Sequence, residues 1–129
     1  MSTSEAVTHG VRVTVRSTHV PERSDPESGE WFFAYTVTIS NEGDETVQLV
    51  SRHWIIADAD GREQEVRGPG VVGEQPVLAP GESFEYTSAC PLGTACGSMR
   101  GTYQMVTEGG DRFDATIAPF SLAAPYALH

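Results

Sequence analysis

The segment WFFAYTVTIS (31–40) alternates without a break. Trp31, Phe33, Tyr35, Val37 and Ile39 hold the odd positions, and Phe32, Ala34, Thr36, Thr38 and Ser40 lie between them. Period two puts the odd set on one face of a β-strand and the even set on the other. Five large apolar side chains on one face cannot remain in water, so this strand predicts a sheet packed over a core. VRVTVRSTHV (11–20) repeats the pattern, with Val11, Val13 and Val15 opposite Arg12, Thr14 and Arg16. VQLVSRHWIIAD (47–58) is a further β-rich run, and Asp60-Gly61 predicts a hairpin that brings 62–66 back against it. SFEYTS (83–88) alternates again, and 99–108 and 112–120 pair across Gly109-Gly110. Two Gly- and Pro-rich stretches, 67–82 and 89–98, are expected as loops, the first with a short edge segment broken by Pro76. No stretch carries an apolar period of 3.6. The expected fold is all-β, a fibronectin type III/immunoglobulin-like antiparallel β-sandwich of about seven to eight strands.

The chain has 129 residues, enough for one ordinary domain and core. Eight basic residues face 18 acidic ones, a net charge of −10. That balance argues against nucleic acid or an anionic membrane as partner, since both demand clustered cations. MSTSEAVTHG lacks the basic and apolar regions of a signal peptide, and no apolar run is long enough to span a bilayer. A cytoplasmic protein is expected, with Cys90 and Cys96 of CPLGTAC as reduced thiols and a disulfide across that short loop as the alternative. The two cysteines stand too close in sequence to link two sheets as in an immunoglobulin domain.

Three stretches resemble the ApaG family: RHWIIADADG (52–61), EVRGPGVVGEQPVLAPGESFEYTSACPLGTACGSMRGTYQM (65–105) and FDATIAPFSL (113–122). The resemblance runs over residues 10–126, taken as a single ApaG domain, with 1–9 expected as a flexible N-terminal arm. It implies a small fibronectin type III-like sandwich and little settled biochemistry. Bacterial members stand alone, carry a label of cobalt and magnesium tolerance, and are often encoded beside a diadenosine tetraphosphate hydrolase. Similar eukaryotic domains occur in F-box proteins and a DNA-polymerase-interacting protein, where they look like protein-binding modules. Cys96 departs from the family pattern.

GPGVVG (68–73) matches the dinucleotide fingerprint literally, but no helix follows it and no βαβ unit surrounds it. What survives is a nest of backbone N–H groups at Gly68, Gly70 and Gly73, assisted by Arg67, that would take a pyrophosphate or nucleotide, with or without a divalent ion. The plainer alternative is that the glycines supply unusual backbone angles. Asp58 and Asp60 read as turn caps rather than metal ligands, and His53 as a half-buried strand residue bonded to a neighbour. Met99 in GSMRG removes the nucleophile-elbow reading, no catalytic set stands out, and Arg52, Arg62, Arg67 and Arg100 are left as arginines whose convergence only a fold can reveal. The expected function is therefore a non-enzymatic, cofactor-free protein-interaction module, monomer or homodimer. Its expected contact patch is built from Val71, Val72 and Leu92 (with Val77) if the two loops share one end. The alternative is anion binding at GPGVVG.

Overall fold

The computed structural model describes residues 1–128. Nine strands run in order: β1 (Ser2–Thr8), β2 (Val11–His19), β3 (Trp31–Asn41), β4 (Val47–Asp58), β5 (Glu63–Pro69), β6 (Val77–Leu78), β7 (Ser83–Leu92), β8 (Cys96–Thr107) and β9 (Arg112–Ala123). They form two antiparallel sheets, β1-β2-β3-β7 and β5-β4-β8-β9, with β6 also on β4. The sandwich predicted from alternation is the fold observed.

The core follows the alternation. Val11, Val13 and Val15 of β2 and Phe33, Tyr35, Val37 and Ile39 of β3 are buried, as their periodicity requires. Across from them lie Leu49 and Trp54 of β4, Met99, Tyr103 and Met105 of β8, and Ile117, Phe120 and Leu122 of β9. Trp54 packs edge-on against Tyr35, Tyr103 and Phe120, with ring centroids 5.4, 6.2 and 6.0 Å away. Within this core the Tyr86 and Tyr103 hydroxyls hydrogen-bond each other. Buried Asn41 is fully used: its amide donates to Glu45 and Leu78 carbonyls, and its Oδ1 accepts from Gly43 N–H.

Two expectations are corrected. Residues 2–8 of the expected arm form β1, paired along its whole length with β2. Its Ser, Thr and Ala side chains are small and carry no apolar stripe, but they fit against β9. Thr8 Oγ1 accepts from Thr116 N–H at 3.0 Å, and Ser2 Oγ from Ser121 N–H at 3.0 Å. The expected 89–98 loop shrinks to 93–95, because Cys90 and Leu92 continue the inward face of β7. Pro91 is tolerated because β7 lies at the edge of its sheet, paired only with β3. β1 and β9 thus close one side of the sandwich, while β5 and β7 leave unpaired edges on the other.

The tyrosine pair yields a prediction. Tyr103→Phe strands the Tyr86 hydroxyl in the core and should cost about 1–3 kcal/mol in urea unfolding. The double variant Tyr86→Phe/Tyr103→Phe removes both partners and should cost less than the sum of the two singles.

Candidate functional site

β4 is the strand on which the candidate site is built. A bulge between Leu49 and Ser51 changes its parity. Before it Val47 and Leu49 face the core; after it Arg52, Trp54 and Ile56 do. The carbonyl of Val50, at the bulge, accepts from Gly70 N–H at 2.8 Å and from the Gln75 side chain at 2.9 Å. Pro76 O accepts from Leu49 N–H at 3.0 Å. Residues 70–76 therefore sit over the bulge, between β5 and β6 on the same side of β4.

Each glycine of GPGVVG has its own reason. A Cβ on Gly68 would meet Nη2, Cζ and Nη1 of Arg52 at 2.9–3.0 Å, so the guanidinium lies against the bare Cα. Gly70 has φ +58°, and a Cβ there would run into the Glu74 carbonyl oxygen at 2.2 Å. Gly73 has φ +82° and faces open space. Val71 and Glu74 exchange two backbone hydrogen bonds of 2.8 Å, closing a two-residue turn over Val72 and Gly73. Val72 has φ +44°, so both central residues are left-handed, as in a type I′ turn. That position favours Asn or Gly. A β-branched residue there is strained by about 1–3 kcal/mol.

Of the expected nest donors, the Gly70 N–H is turned inward onto the Val50 carbonyl. The N–H groups of Gly70, Val71 and Glu74 all point at backbone carbonyls. Arg67 is largely in solvent and lies 3.6 Å from Glu65. Arg52, which was not singled out as a site residue, instead grips the loop: its Nη1 donates to Pro69 O and Gly70 O, each at 2.9 Å. The arginines do not converge, because Arg100 faces Glu63 at 3.4 Å on the outer surface.

Nor do the predicted contact residues form one patch. Val71 is 1% exposed and belongs to the core, and Leu92 is buried as well. Val72 at 56% and Val77 at 58% are the exposed pair. The turn that follows Leu92 lies near Asp58 and Ala59, at the far end of β4 from the bulge, where Thr94 Oγ1 accepts from Ala59 N–H. A pattern of valines and glycines carries no signal for which valine turns inward; the I′ turn decides it.

The remaining candidates behave as ordinary structure. Asp58 Oδ1 accepts from Asp60 and Arg62 N–H groups, so the cap belongs to Asp58 rather than Asp60. His53 Nε2 lies 2.7 Å from Glu65 Oε1 on the outer face. Both cysteines are free thiols, and burial pushes Cys90 up to about 11. Among the described residues no three His, Cys, Asp or Glu converge as ligands for a metal ion, and no helix is long and apolar enough to cross a membrane.

Between the open edges of β5 and β7 lies a cleft of about 290 Å³, lined by both sheets. Arg52, Trp54 and Ile56 reach it from β4, Gln64 and Val66 from β5, Ser88 and Cys90 from β7, and Tyr35 from β3. Burial raises the Tyr35, Tyr86 and Tyr103 hydroxyls above their ordinary value, and the nearby Arg52 charge partly offsets this.

The comparisons agree on one family. The ApaG domain matches residues 21–107. Protein ApaG of Anaeromyxobacter sp. (strain K) is 62% identical over 126 residues, 98% of this chain and 99% of that one. Protein ApaG of Rhodopseudomonas palustris (strain TIE-1) is 60% identical over 120 residues, covering 93% and 92%. A crystal structure from Bordetella pertussis, titled as an ApaA protein, superposes with a TM-score of 0.87 at 57% identity over 89% of this chain and 94% of its own. A structural-genomics target solved by X-ray gives 0.88 at 44% identity over 96% and 94%.

Two predictions follow from the turn and the buried phenols. Val71→Asp places a charge in the core and should cost at least about 3 kcal/mol, whereas Val72→Asn relieves a left-handed valine and should gain about 1 kcal/mol. Urea unfolding of both checks this. The raised Tyr86, Tyr103 and Cys90 groups hold more protons folded than unfolded at alkaline pH. Their contribution is complete below the unfolded thiol and phenol range and is lost as pH climbs through it. Melting temperature should therefore fall from about pH 9 upward, and Tyr86→Phe/Tyr103→Phe should flatten that fall.

Proposed function

This chain belongs to the ApaG domain family, and we propose that it works as a non-enzymatic, cytoplasmic protein-interaction module whose contact point is the 71–74 turn. Val72 carries the reading. It is a large apolar residue held at the tip of a turn, more than half exposed, in a backbone conformation that Asn or Gly would adopt with less strain. Strain that the fold does not need is accounted for when the side chain serves something outside the fold. Val77, five residues on and also more than half exposed, is a second apolar side chain for a partner, and the free β5 edge offers unpaired backbone groups to a partner strand. Any part in cobalt or magnesium tolerance would then run through that partner. Anion binding at GPGVVG has less support, because three of the loop's N–H groups already have carbonyl acceptors.

A photo-crosslinking residue at position 72, expressed in the native host, tests the proposal. Discrete adducts should form there and not at Gly29, an exposed turn remote in sequence. Val72→Asn should raise the melting temperature while reducing co-purification of the same partner several-fold. A variant that is more stable and keeps its partner in full would overturn the reading.

A further inference from the structure

Arg52 stands on the inward side of β4, two residues before the buried Trp54 and across from Tyr103 on β8. Its Nη1 is used on the Pro69 and Gly70 carbonyls. Among the described residues its Nε and Nη2 meet no acceptor, and no carboxylate lies within 4.0 Å of it. Yet the chain carries 18 Asp and Glu against eight basic residues. Arg12, Arg67 and Arg100 have carboxylate partners; Arg16, Arg23, Arg62 and Arg112 have none among the described residues but are exposed to water, whereas Arg52 is half-buried. Among the half-buried arginines Arg52 is thus the one with no carboxylate within 4.0 Å among the described residues, and its charge is felt at the Tyr35, Tyr86 and Tyr103 hydroxyls. A partly desolvated cation without a counter-ion is costly unless something else supplies the anion.

The cleft that Arg52 lines has the composition of a small-ligand site. Trp54, Ile56 and Val66 give it apolar walls, and Ser88 and Gln64 bring a hydroxyl and an amide. Its volume of about 290 Å³ is at the small end for such sites. From this juxtaposition we propose that the cleft between β5 and β7 binds a single carboxylate carried on a compact apolar or aromatic body. The carboxylate takes the unused N–H groups of Arg52, which present planar, paired donors. The body lies against Trp54, Ile56 and Val66. One arginine in a strongly acidic protein suits a monoanion; a pyrophosphate or nucleotide would bring several charges to a site with one cation. The ligand is either a free aryl- or alkyl-carboxylic acid or the C-terminal residue of a protein chain, which present the same chemistry.

The test is a titration of the ¹⁵N-labelled full chain, read at the Trp54 indole and the amides of Val66, Ser88 and Cys90. The probes are 3-phenylpropionate against 3-phenylpropionamide, and the peptide Gly-Gly-Gly-Phe with a free against an amidated C-terminus. The acids should give saturable shifts confined to those positions, with the uncharged amides about tenfold weaker. Tighter binding by the free-carboxylate peptide than by phenylpropionate assigns the site to a chain terminus, and the reverse to a small acid. Arg52→Gln keeps a donor for the loop carbonyls and should erase the difference between acid and amide. The acid–amide comparison on the unmodified protein decides the matter even if that variant unfolds. Equal binding of acid and amide, shifts located elsewhere, or none up to the solubility of the probes would overturn the proposal.

Discussion

Trp54 is where the two sheets meet. Its indole, 3% exposed, touches Tyr35 of one sheet and Tyr103 and Phe120 of the other, all in tilted or edge-on geometry. Edge-on packing of this kind contributes beyond the area it buries and constrains how far apart and at what angle the sheets lie. The neighbouring strand has to yield to it. Opposite Trp54 on β8 stands Gly101, where a Cβ would collide with the His53 carbonyl oxygen at 2.0 Å. β4 and β8 approach that closely only because no side chain stands between them. A second glycine, Gly97, does the same against the Ala57 carbonyl. The consequence is a sandwich pinned tightly at its centre and closed on the β1/β9 side. On the β5/β7 side the same pinning leaves space, since neither edge strand has a partner to draw it shut.

GPGVVG invites a ligand reading because its glycine spacing matches a phosphate-binding string, and in this fold the spacing arises from three unrelated demands. Gly68 makes room for a guanidinium, Gly70 for a carbonyl oxygen, and Gly73 completes a left-handed turn. The first two meet at the β4 bulge. The bulge frees the Val50 carbonyl and turns Arg52 inward; the loop answers both, by donating to Val50 O and by offering Pro69 and Gly70 carbonyls to Arg52. The glycines are thus part of how β4 reverses its parity, and that reversal puts a cation beside Trp54.

The parts of this fold that were legible in the sequence are those where burial imposes a strict period. The odd residues of β3 and the three valines of β2 fell on the buried face because a one-residue slip would expose all of them at once. Asp60-Gly61 marked its hairpin by local chemistry alone. The illegible parts are those that depend on a neighbour. β1 has no apolar stripe, and only contact with β2 and β9 makes Ser2–Thr8 a strand. Leu92 looks like loop until β3 pairs with it. Arg52 is hidden most deeply. Counting by twos from Leu49 puts Ser51 inward and Arg52 out, and only the bulge reverses that. Sequence reasoning therefore assigns the loop to Arg67, the arginine adjacent to the glycines, and leaves Arg52, which holds them, as one of four arginines without an assigned place.

Two features on the open side of the molecule remain unresolved by its own interactions, and they differ in kind. Val72 is a conformational excess: its strain is local, exposed, and removable by a residue the turn prefers. Arg52 is an electrostatic deficit: its charge is set into the structure by backbone carbonyls, and no carboxylate among the described residues lies within 4.0 Å of it. A fold selected only for its own stability would relax both, the first by substitution to Asn and the second by an acidic residue on β5 or β7, which already carry Glu63, Glu65 and Glu85 on their outward faces. Both departures lie around the β4 bulge and the open β5/β7 side, while on the β1/β9 side Thr8 and Ser2 hydroxyls take up the Thr116 and Ser121 N–H groups. The proposed contact turn and the proposed ligand cleft thus both arise from one cause, the parity change of β4 at its bulge.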